Sequence, residues 1–194
     1  MILENIEKYD GTYLKSRFAY DHFKEKTQPI GNIIAFRAPI DVEVKNLNDK
    51  ENIVNDDILY ADDAINFCME IPNISLFGGE CFHRLFNSSL ANILASEFLN
   101  CDIEVDGTKI VVHKEVQEAG IIRTQGKVSV SDMSLANGAV LLYTGINITA
   151  GKKAPNTAFS SNLEGDEPLI VMHKGIELFY GMLQEIFVET SKRL

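Results

Sequence analysis

The sequence predicts an α+β fold, a single α+β domain over residues 1–194 in which a mixed or mostly antiparallel sheet packs with helices. Three observations carry this reading. Asp106-Gly107-Thr108 separates two β-favouring runs, a hairpin signal. Apolar residues from Gly79 or Glu80 to Leu99 recur with a helical period. Helical stretches fall between groups of adjacent strands. The chain shows neither a repeat with a period of tens of residues nor a Pro-rich or Gly/Ser-rich linker.

The elements follow in order. After a short N-terminal strand, Tyr9-Asp10-Gly11 signals a turn, and Tyr13 to Phe23 reads as a helix with Leu14, Phe18 and Phe23 toward the core. Ile33-Ile34-Ala35-Phe36 is a strand ending at Arg37, because Pro39 cannot donate to a central ladder. Ile40 to Lys45 alternates apolar and charged residues, as a half-exposed edge strand does. Asn46 to Asp57 is a polar loop. Asp62 or Asp63 can cap a helix through Ala64, Ile65, Cys68 and Met69 that stops before Pro72. The core helix that follows places Phe82, Leu85, Phe86, Leu90, Ile93, Leu94 and Phe98 on one face. Cys101 to Val105 and Lys109 to His113 are the arms of the hairpin, whose Gly107 tolerates the positive φ of a tight turn. Lys127 to Ser131 is a strand with its valines inward, and Ala139 to Ile148 is apolar enough to be central. Asn162 to Glu167 is a turn. Pro168 suits the first turn of a closing helix whose inner face holds Ile176, Phe179, Tyr180, Leu183 and Phe187.

Composition narrows the class of function. With 18 Lys+Arg against 28 Asp+Glu, the net charge of −10 disfavours duplex nucleic acid and anionic membrane surfaces as partners. No apolar stretch approaches the roughly 20 residues that cross a bilayer. Residues 1–7 lack the basic start and apolar run of a signal peptide, so a cytoplasmic protein is expected. Cys68, Cys81 and Cys101 are odd in number and widely spaced, which suits reduced core thiols better than a disulfide framework. The four histidines have no HxH or HExxH spacing, so no metal site is expected.

Gly126 to Ser131 is the segment richest in chemistry. With its valines toward the core, Lys127, Ser129 and Ser131 project from the other face as one ammonium and two hydroxyls, a row able to hold a carboxylate or phosphate. The alternative is a solvated strand face. Gly145 marks either a bulge or a close approach, and Asn147 beside it stands near Lys127 if the two strands pair. His83, on the helix with Glu80 and Asn87, is a candidate acid or base, or else a boundary histidine. Arg37 could reach a carboxylate or form an ordinary salt bridge. Among the aspartates, Asp10 and Asp132 are favoured as site residues over Asp56, Asp57, Asp62 and Asp63, which read as loop solvation and capping. Cys81 is a nucleophile only if exposed, and its place beside Phe82 points to burial.

Two resemblances follow from these motifs. Gly126-Lys127 with its strand, then Leu142-Tyr143-Thr144-Gly145-Ile146-Asn147-Ile148, resembles the two-strand core of biotin and lipoate protein ligases. That likeness implies a ligase-like fold and places Lys127 where the family's lysine meets the acyl-adenylate carbonyl. Tyr9-Asp10-Gly11, Ile34 to Val42, His83-Arg84-Leu85, Gly126 to Ser131 and Gly145 to Ile148 together resemble the domain of unknown function 366 family, known mainly from archaeal proteins of similar length. This second likeness implies a fold and no reaction. A Gly/Arg-rich loop for ATP phosphates, which ligase chemistry needs, is not found, and Gly78-Gly79 is followed by the acid Glu80.

The expectation is an enzyme-like domain binding a small carboxylate or similar anionic metabolite through Lys127, Ser129, Ser131, Asn147 and Asp132, with His83, Arg37 and Asp10 in catalytic or orienting roles. The reaction and any cofactor stay open. One alternative is a nucleobase-modifying enzyme of the 7-deazaguanine type, a decarboxylase or methyltransferase. The other is a non-catalytic binding or interaction module, a homodimer through a sheet edge or the C-terminal helix.

Overall fold

The computed structural model describes residues 1–48, 59–118 and 121–193. Among them are nine strands: β1 (Asn32–Arg37), β2 (Ile40–Val42), β3 (Leu59–Ala61), β4 (Asp63–Pro72), β5 (Asp102–Asp106), β6 (Lys109–Glu118), β7 (Ile121–Lys127), β8 (Ser129–Ala136) and β9 (Ala139–Thr149). Three α-helices accompany them: α1 (Phe18–Phe23), α2 (Leu76–Leu94) and α3 (Glu167–Ser191). A four-stranded sheet in the order β1-β4-β9-β8, a β2-β3 pair and a β5-β6-β7 sheet are all antiparallel. This is the expected α+β class. Of the expected 46–57 loop, residues 49–57 lie outside the described residues.

The four-stranded sheet is buried on both faces. One face packs Ile33, Ile65, Phe67 and Leu142 against Phe82, Phe86 and Leu90 of α2 and Phe179 of α3. The other packs Ile34, Phe36, Cys68 and Tyr143 against Tyr9, Leu14 and Phe18 of the N-terminal segment and Ile40 of β2. A strand buried on both faces loses its alternation and reads as a continuous apolar run. That overturns one expectation: 63–72 is the strand β4, not a helix. Ala64 to Ile71 are all buried, and the run sits between β1 and β9. As expected, β9 is internal.

Other elements shift within their predicted spans. The expected 13–23 helix is a short 3₁₀ turn, Thr12–Leu14, followed by α1, with Leu14, Phe18 and Phe23 buried as expected. The strand expected over 40–45 stops at Val42 and passes into a 3₁₀ turn. α2 starts three residues early because Ser75 accepts a hydrogen bond from the Gly78 N–H, and it ends in a π-helical turn, Ala95–Leu99. Gly79 lies where a Cβ would stand 2.5 Å from Val140 Cγ1, so it lets α2 close onto β9. In α3, Phe179 and Leu183 are buried, but Phe187 is 59% exposed because the helix outruns the sheet it covers. No described helix is long and apolar enough to cross a membrane.

The turn of greatest consequence is at Val128. β7 belongs to the three-stranded sheet and β8 to the four-stranded one, and the chain changes sheets between them. Val128 joins the core under α2, while Val130 packs on the opposite face with the N-terminal segment. The two valines therefore do not share a face, and the expected row of Lys127, Ser129 and Ser131 is broken.

Candidate functional site

β8 ends the four-stranded sheet. Ser131 lies opposite Thr144 and Asp132 opposite Tyr143, so consecutive residues serve opposite faces: Ser131 the α2 face, Asp132 the N-terminal face. A cavity of about 260 Å³ straddles the middle of this edge strand. Glu80 and His83 of α2, Thr108 of the β5–β6 turn, Ser131, Asp132 and Met133 of β8, and Asn48 line it.

His83 is 1% exposed. Its Nε2 stands 2.8 Å from Thr144 Oγ1, which is 2.8 Å from Asn87 Oδ1. Asn87 Nδ2 donates to the Thr108 carbonyl at 2.7 Å and to Ser131 Oγ at 3.2 Å, and the Ser131 hydroxyl donates to the same carbonyl at 2.9 Å. Burial lowers the His83 pKa to about 4, outweighing the Glu80 charge and the Tyr143 carbonyl, which both favour the charged ring. The cavity thus contains a neutral imidazole near neutral pH.

Asp132 is 7% exposed, accepting from the Met133 N–H at 2.8 Å and from Asn48 Nδ2 at 2.9 Å. Glu80 accepts from Arg84 Nε at 2.7 Å. Arg84 reaches toward the same turn as Thr108: a Cβ at Gly107 would lie 3.9 Å from Arg84 Nη2. The cavity wall therefore carries the carboxylates of Glu80 and Asp132, and the Arg84 guanidinium is held on Glu80 beside it.

His83, Ser131 and Asp132 come together as neighbours in one cavity. The other expected site residues do not join them. Lys127 pairs with Val111, one position out of step with buried Val112 and Gly126, so it lies on the outer face of the three-stranded sheet. The Ser129 hydroxyl accepts from the Ile110 N–H at 2.8 Å and is 2% exposed. Asn147 reaches the Lys127 backbone, donating from Nδ2 to its carbonyl at 3.4 Å and to that of Phe159 at 3.3 Å, while its buried Oδ1 has no partner among the described residues. Arg37 forks onto Asp63 with bonds of 2.6 to 3.1 Å, on the opposite edge of the sheet from β8. Asp10 accepts from the Thr12 N–H at 3.0 Å and its hydroxyl at 2.7 Å, closing a local turn. Gly145 sits in regular pairing, where a Cβ would meet Tyr143 Oη at 2.5 Å, so it marks a close approach and not a bulge.

Cys81 is exposed, contrary to expectation, because the buried face of α2 runs through residues 79, 82, 83, 86 and 87. That phase also buries His83 and Asn87 and leaves Leu85 49% exposed. Among the described residues, no group of three or more His, Cys, Asp and Glu is placed to hold a metal ion. Asn87 and Thr144 were not singled out from sequence. Asn87 lies one helical turn after His83, a spacing that puts the two on one face, and a mid-helix asparagine is a weak helix former that invites a reason.

Comparison with known proteins agrees with the architecture. A protein of unknown function from Pyrococcus horikoshi superposes with a TM-score of 0.81 at 18% identity, covering 98% of this chain and 94% of that one. Biotin protein ligase from Aquifex aeolicus in complex with biotin and ATP gives 0.58 at 13% identity, over 95% of this chain and 70% of that one. A T. acidophilum protein with bound lipoic acid, provisionally described as a lipoate protein ligase, gives 0.55 at 13% identity, over 97% and 94%. At these identities the likeness is one of fold, the ligase-like fold that the motifs implied. No curated protein matches the sequence. The family model described as Domain of unknown function (DUF366) matches residues 1–193, and the chain belongs to that family.

Proposed function

We propose that this protein is an enzyme-like binder of a small metabolite, held in the cavity midway along β8. The carrying observation is that His83, Ser131 and Asp132, three side chains from two elements, line one cavity. The ligand class we favour is a small carboxylic acid that also bears N–H or O–H donors. Donors would face Asp132 and His83 inside, where a second carboxylate would be repelled, and the ligand's carboxylate would face Arg84 beside the cavity. The fold supports this reading, since solved neighbours carry lipoic acid and biotin. Lys127, Ser129, Asn147, Arg37 and Asp10 fall outside the proposed contact set.

Mass spectrometry of small molecules released from the purified protein, followed by calorimetry with each released compound, tests the proposal. Asp132→Asn is expected to weaken binding about tenfold or more, the cost of losing a charged acceptor, and Lys127→Ala to leave it unchanged. Equal binding by the Asp132→Asn protein, or loss of binding in Lys127→Ala, would sink the cavity assignment. A released heterocycle without a carboxylate would move the reading to the nucleobase alternative, because ring N–H groups suit the same acceptors.

A further inference from the structure

The hydrogen bonds behind the cavity wall decide what His83 can offer a ligand. The Thr108 carbonyl can only accept. It receives Asn87 Nδ2 at 2.7 Å, so the Asn87 amide has its nitrogen toward Thr108 and its oxygen toward Thr144. That amide oxygen can also only accept, so at 2.8 Å the Thr144 hydroxyl must spend its one proton on it. Thr144 Oγ1 then has only lone pairs for His83 Nε2, 2.8 Å away on its other side. Two lone pairs at that distance would repel, so Nε2 carries the hydrogen.

We propose that Asn87 is a positioning residue for His83: through Thr144 it holds the neutral imidazole as the Nε2–H tautomer and leaves Nδ1 as the ring's acceptor. The competing arrangement is specific. The Tyr143 carbonyl also favours the charged ring, so the ring has a second acceptor beside it. Without Asn87, the Thr144 hydroxyl would be free to donate to Nε2 and the proton would move to Nδ1. Asn87 thus selects between two tautomers that the immediate surroundings of the ring would both accept. The use of this selection rests on the cavity being a ligand site: there, His83 presents an acceptor and selects ligands that bring an N–H or O–H.

Long-range ¹H–¹⁵N spectra of the histidine rings report the tautomer directly, with the full chain at neutral pH and no ligand added. The wild-type ring is expected as Nε2–H in at least about tenfold excess, the worth of one buried hydrogen bond. Asn87→Leu is expected to shift the ring to Nδ1–H. Thr144→Val is expected to erode the Nε2–H preference, and Thr144→Ser to keep it. A packing role alone would move none of these. A wild-type ring with Nδ1–H in equal or greater amount overturns the inference, even if no variant folds. So does an unchanged tautomer in a folded Asn87→Leu protein. Ligand binding is read separately: the Nε2–H ring in a protein that binds nothing refutes only the functional reading, and Nδ1–H in one that binds refutes only the positioning role.

Discussion

Acid should unfold this protein partly through His83. In the native state the ring refuses a proton until about pH 4, because burial opposes the charged form more than Glu80 and the Tyr143 carbonyl favour it. In the unfolded chain it accepts one near its ordinary value of 6.5. Between those two values the unfolded state binds more protons than the native state, so stability is whole above about pH 6.5 and falls as pH drops toward about 4. At about 1.4 kcal/mol per pH unit the loss across that window is about 3 kcal/mol. Because the ring is 1% exposed, solvent screening removes little of it. Urea unfolding of the wild type and of His83→Gln, from about pH 7 to about pH 4.5, isolates this contribution from that of the carboxylates, which both proteins share. Glutamine can still donate to Thr144 but does not titrate. The stability gap between the two proteins is expected to close by about 2 to 3 kcal/mol as pH falls. A gap constant to within about 0.5 kcal/mol would refute the claim that the ring is held neutral.

Three further substitutions probe the frame around the site. Glu70 is fully buried on β4 and is held by Arg17 and by the Ala19 N–H at 3.0 Å, so Arg17→Ala strands a buried carboxylate and should cost about 3–5 kcal/mol by denaturant unfolding. A cost under about 1 kcal/mol would mean that another group neutralises Glu70. Gly79→Ala forces a methyl against Val140 and should cost about 1–3 kcal/mol, part of it recovered by pairing the change with Val140→Ala. Arg37→Ala breaks a half-exposed fork to Asp63 and should cost less than about 1 kcal/mol with ligand binding unchanged, and a binding defect would bring Arg37 back as a site residue.

Local signals in the sequence were sufficient where one face of an element is wet. The β5–β6 hairpin is readable because its turn needs Gly107 at φ +63° and its arms alternate. β4 is not readable in that way. Its residues are apolar on both sides because both sides are covered, and periodicity cannot tell such a run from a buried helix. On α2 the period was legible but the phase was not. A histidine and an asparagine look polar in sequence, yet here each spends its polar atoms on Thr144 and Thr108 and can be buried in place of Leu85. The same limit governed the site. His83, Ser131 and Asp132 were singled out by residue type, but their convergence depends on the chain changing sheets at Val128, which no local pattern announces. That change also removed Lys127 from the serines it adjoins in sequence.

The two ends of the four-stranded sheet are finished differently. β1 is closed by the first residues of the chain, with Leu3 donating to the Ala35 carbonyl and Ala35 to that of Met1, each at 2.9 Å. β8 has no strand beyond it in this sheet among the described residues, and a bare strand edge invites another chain to add on. Here the edge carries a nearly buried carboxylate and a cavity midway along its length. An incoming strand would have to desolvate Asp132 further and bridge a gap before it could zip, so the polar hollow that makes β8 a candidate for holding a small molecule also interrupts it as a template for aggregation.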